Sequence, residues 1–146
     1  MSNLPFGLLV DVFLIVGALF AIWKGGAPER TAAAVVLLNV AIGRSTSWWM
    51  VENRDLIWLC NDGLAALILL FVTVRFAAPW MGGMMLFFAA QFTLLAYYMV
   101  TMQPTFDYTY SLINNINWSG ITWCLILGTA MAWRGRMRAR RLAAAT

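Results

Sequence analysis

The chain has 146 residues, of which 62% are hydrophobic and 11% charged, with a net charge of +4 and no histidine, and its mean hydropathy is +0.76. Soluble domains run about 45–50% apolar and about 25% charged, so a soluble fold of this length could not hide so much apolar surface, and the class is integral membrane protein. The missing histidines argue against histidine-ligated haem or chlorophyll, most zinc sites and histidine proton relays; two cysteines, Cys60 and Cys124, are too few for a disulfide framework or metal cluster, so no cofactor or metal is expected.

The chain opens on a short polar segment without Lys or Arg, then an apolar run over residues 5–23 that ends in Trp23-Lys24 rather than in a small-residue cleavage site. It reads as a first spanning helix, about 28 Å long at 1.5 Å per residue. The turn KGGAPER follows, with Pro28 and Glu29 suited to the first turn of a second helix over 28–50. A third helix is predicted over 56–77, a fourth over 79–102 and a fifth over 110–133, with a loop at 103–109. All four prolines fall at these boundaries. The expected fold is an all-α bundle of five transmembrane helices over 1–133, followed by a basic cytoplasmic tail over 134–146. A four-span arrangement with a short second helix is the alternative.

The charges set the expected threading. With the N-terminus outside, the inner flanks carry Lys24, Arg30, Arg75 and the tail arginines Arg134, Arg136, Arg138, Arg140 and Arg141, whereas the outer loops carry only Arg54, beside Glu52 and Asp55. This is the positive-inside asymmetry. Half the basic residues sit in the tail, which fits a membrane flank and contact with anionic lipid or a partner better than nucleic acid. Trp48, Trp49, Trp58 and Trp118 are expected at the outer interface, Trp23, Trp80 and Trp133 at the inner one, with Trp123 deeper.

Helical rise places Asp11, Arg44 and Asp62 about 9 Å inside the outer face, and Asn114 and Asn117 about 6–10 Å inside, with Asn61 nearby. Four helices thus contribute to one polar layer. The sequence predicts a buried acid–Arg–acid cluster, Arg44 holding both Asp11 and Asp62 ionised, near the closed end of the hairpin over 41–63. Asn39 and Gln91 are expected below it. The layer has two readings: an ion pair that locks the bundle, or a site for a solute, ion or proton opening outward. Inward faces are predicted from helical spacing, among them Asp11, Leu14, Ala18 and Ala21 in the first helix and Tyr110, Asn114, Asn117, Ile121 and Gly128 in the fifth.

Other signals read as packing. The MGGMM run at Met81 to Met85 suggests a loosened helix start more than a soft-metal site. Asn117-Trp118-Ser119 is a glycosylation sequon placed inside a span. The cysteines differ in depth by about 15 Å, too far for a mutual disulfide. No nucleophile triad, HExxH or glycine-rich phosphate loop is present, so no catalytic residue and no enzyme is expected.

The opening apolar helix, the GGAPER turn at Gly25 to Arg30, the aspartate near the start of the third helix and the arginine at its end resemble small uncharacterised bacterial inner-membrane proteins with a GG-x-PER turn. The resemblance implies the bacterial cytoplasmic membrane and carries no activity. The expected function is a non-catalytic accessory or scaffold subunit of a larger membrane complex. The alternatives are a homo-oligomeric pore or holin-like protein, and a small-solute transporter or binding protein using Asp11, Arg44 and Asp62.

Overall fold

The structure, a computed structural model, describes residues 4–48, 53–105 and 107–145, with the side chains of 4–6 excepted. It is all-helical: α1 (Leu4–Lys24), α2 (Ala27–Trp48), α3 (Arg54–Phe76), α4 (Pro79–Val100) and α5 (Tyr108–Ala143). Trp49, Glu52 and the predicted end of the second helix at Met50 lie outside the described residues.

Local chemistry accounts for the boundaries. At the start of α2, Gly26 is the cap, and Glu29 reaches back to accept its N–H at 2.5 Å, half of a capping box. Pro79 opens α4 where a missing N–H costs nothing. Asp107 caps α5, accepting from the Tyr110 N–H at 2.6 Å. That cap starts α5 two residues before the predicted helix. At the other end, α5 does not stop at Trp133. It continues through the arginines to Ala143, so most of the expected tail is helix. Charge marks where a membrane ends, and Arg and Ala are good helix formers on either side of that boundary.

The principal helix contacts close a ring, α1–α2–α3–α4–α5–α1, and α2 also meets α5 across it. The core between them holds Leu14, Val36, Leu69, Phe88, Ile121 and Leu125, with Met81 and Met84 of the MGGMM run fully buried. The outer surface is apolar, with Leu8, Val16, Leu67, Phe71, Leu86 and Leu127 exposed, the inverse of a soluble domain. Among the described residues three helices are long and apolar enough to cross a membrane: Gly7–Lys24, Arg54–Phe76 and Pro79–Val100. The other two, α2 and α5, pack against each other across the ring as well as against their neighbours around it. A helix so surrounded presents less surface outward and tolerates more polar residues.

Consecutive helices run in opposite directions, which gathers polar side chains at the two ends of the bundle. One end holds the start of α1, the end of α2 and the starts of α3 and α5. The other holds the KGGAPER turn and the arginines of α5.

Candidate functional site

At the first of these ends the helices part around a cavity of about 350 Å³ lined by all five of them. Asp11, Arg44, Asn61, Asp62 and Asn114 of the expected polar layer line it. Asn117 does not. It is buried behind Gln91 and donates to the Gln91 Oε1 at 3.0 Å, while Gln91 donates to Asn114. Gln91 and Asn39, expected deeper, are therefore part of the same polar floor.

The expected three-residue ion cluster is divided in two. Arg44 pairs with Asp11, and Asp62 takes its hydrogen bond from Asn39 Nδ2 at 3.0 Å. The reason is helical rotation. Asn39 and Arg44 are five residues apart, about 140° around the helix axis. When α2 turns Asn39 toward α3, Arg44 is carried round to α1. Nor is the Arg44–Asp11 pair buried: the two side chains are 59% and 35% exposed, at the mouth of the cavity. The buried charge is Asp62, 6% exposed.

Aromatic groups fix the walls. Trp58 donates from Nε1 to the Thr46 hydroxyl at 2.7 Å, tying α3 to α2. Tyr98 stacks edge-on against Tyr110 at 5.1 Å and donates its hydroxyl to the Asp107 carboxylate, tying α4 to α5. Trp118, predicted at the interface, instead packs edge-on against Phe88 of the core and lines the cavity. It lies ten residues into α5, about 15 Å along it. Trp123 faces outward and meets Phe13 of α1 at 5.4 Å. Below the cavity lies the apolar core of Leu14, Leu69, Phe88 and Leu125.

That other end is closed by a clamp that composition alone did not reveal. Glu29, 2% exposed, forms an ion pair with Arg136 Nη1 at 3.5 Å, and Arg136 Nη2 donates to the Lys24 carbonyl at 2.6 Å. Arg30 donates to the Ile22 carbonyl at 3.1 Å. Of the tail arginines, Arg136 is thus turned back onto the turn, while Arg134, Arg138, Arg140 and Arg141 are exposed. A continuous α5 is what brings Arg136 within reach of Glu29; a tail read as separate from the helix gave no such register.

Among the described residues no three of Cys, Asp and Glu come together as a metal-ligand set. Cys60 and Cys124 are both free thiols. Compared with known proteins, the chain matches no family model, no curated protein and no solved structure. What it does is therefore read from its geometry.

Proposed function

We propose that this is a five-span protein of the bacterial cytoplasmic membrane, N-terminus outside, that binds a small polar solute in the cavity at its outer end. The observation that carries the reading is Asp62: a deeply buried carboxylate on the wall of an open polar cavity, with one hydrogen bond from the chain. Intramembrane ionisable groups are rare and face functional cavities. The five-span threading is supported by the packing of α2 and α5 against each other across the ring, and by the eight basic residues at the clamp end against Arg44 and Arg54 at the other.

This places solute binding above the accessory-subunit role that the lack of catalytic motifs suggests. A pore or holin-like assembly has less support, because the polar groups turn inward within one chain and an apolar core lies beneath them. One observation still favours a partner. The 36 residues of α5 extend about 54 Å, beyond the ~30 Å hydrocarbon core, and present Arg134, Arg138, Arg140 and Arg141 outside it. That surface suits anionic lipid or an acidic partner subunit.

The test is accessibility. Ser111, on the cavity wall, is replaced by cysteine in a chain with Cys60 and Cys124 changed to serine. A membrane-impermeant maleimide is expected to label Ser111→Cys from the outer side of intact cells. Labelling only from the cytoplasmic side would reverse the topology, and no labelling from either side would close the cavity and remove the reading.

A further inference from the structure

We infer that the solute carries a primary ammonium group, received by Asp62 together with the side-chain oxygens of Asn39 and Asn61. This rests on the reading of the cavity as a solute site and names the chemistry of what enters it.

Charge is the first ground. No basic side chain of the described residues lies within 4.0 Å of Asp62, since Arg44 is committed to Asp11. A carboxylate this deep is costly without a counter-charge. At the cavity the two acids, Asp11 and Asp62, face one arginine. The site therefore favours a cation over an anion.

The hydrogen-bond inventory is the second ground. Asp62 Oδ1 accepts from Asn39 Nδ2, and Asn61 Nδ2 donates to the Asn39 carbonyl at 3.0 Å. Both amide nitrogens are thus engaged with the chain. Asp62 Oδ2, Asn39 Oδ1 and Asn61 Oδ1 accept from none of the described residues, and each keeps some accessible surface. All three residues line the cavity. What α2 and α3 offer to a ligand is three acceptors, and a primary ammonium offers three donors and no acceptor.

Size and walls agree. Water occupies about 30 Å³ in the liquid, so the cavity has room for an amine of several heavy atoms with some water. Trp58 and Trp118 line its walls, and aromatic rings attract cations.

The experiment uses the full chain in lipid nanodiscs, with binding followed by tryptophan fluorescence and calorimetry. The probes are methylammonium and ethanolamine. The comparison solutes are tetramethylammonium, which has the charge without N–H donors, and glycerol, acetate, sodium and potassium. Methylammonium and ethanolamine are expected to bind saturably and tetramethylammonium to bind at least about tenfold more weakly. Asp62→Asn should weaken methylammonium by about 10- to 100-fold, and Asn61→Ala, which keeps the charge, by roughly tenfold. Asp55→Asn, on the same helix but off the cavity wall, should leave binding unchanged. Equal binding of tetramethylammonium, saturable displacement by potassium or sodium, or full binding by folded Asp62→Asn would each overturn the inference. So would saturable glycerol or acetate with no amine binding, which would leave the cavity a solute site of another class. If no probe binds, the ammonium assignment falls, and labelling of Ser111→Cys decides separately whether the cavity itself stands.

Discussion

The two ends of the bundle each hold a buried acid, and they treat it differently. Glu29 is enclosed: its Oε2 accepts the Gly26 N–H, Arg136 stands beside it, and the arginine is anchored on the Lys24 carbonyl. Asp62 is left open, with one amide bond and a cavity in front. Four glycines repeat the contrast, although Gly135 beside Arg136 also faces open space and Gly63 beside Asp62 meets Phe92. A Cβ on Gly25 would strike the Ala21 carbonyl, and one on Gly128 the Trp80 ring, whereas Gly7 and Gly43 at the cavity face open space. On the proposed reading, Glu29 is a structural charge surrounded by its partners, and Asp62 a charge for a ligand surrounded by room.

The largest effect is expected from opening the clamp. Arg136→Ala strands Glu29 and should cost about 2–3 kcal/mol, less than the ~3–5 of a fully buried pair because Arg136 is itself 40% exposed. Thermal unfolding in nanodiscs measures it, with Arg138→Ala, exposed on the same helix, as the neutral comparison; equal melting of the two would dissolve the clamp. Gly128→Ala, which forces the Trp80 ring to move, is expected to cost about 1–3 kcal/mol by the same measurement. An unchanged melting temperature would mean that the closed end packs no more tightly than the open one. Arg44→Ala should cost only about 0–1 kcal/mol, as exposed pairs do, where a buried three-residue cluster would have made it severe. Gly43→Ala, with no atom within 4 Å of the added methyl, should lose nothing and gain up to about 1 kcal/mol of helix propensity; a clear loss would indicate that the cavity mouth is packed.

Much of this was legible in the sequence. The prolines at 28 and 79 mark real helix starts, and the small-residue spacing of α1 correctly turns Leu14, Ala18 and Ala21 inward. The residues of the cavity were visible as polar interruptions of apolar runs. Their pairing was not, because depth along a helix is fixed by counting residues, while direction around it depends on how the helix is rotated against its neighbours. Arg44 and Asp62 share a depth and not a direction. The clamp was hidden for a related reason: Glu29 suits a helix start on its own, and nothing local to RGRMRARR says that one arginine among five faces inward. Asp107 ahead of Tyr-Thr-Tyr-Ser was a readable cap signal, and it sets the true start of α5.

The measurement that separates the two acids most directly is the melting of Glu29→Gln and Asp62→Asn side by side in the same nanodiscs, without added solute. Each swap keeps shape and removes charge. Glu29→Gln is expected to lose about 1.5–3 kcal/mol, and Asp62→Asn, which keeps an acceptor for Asn39 and removes an uncompensated buried charge, to lose nothing and to gain stability. Equal losses would make Asp62 a structural charge like Glu29, and would contradict the assignment of the open end to a ligand.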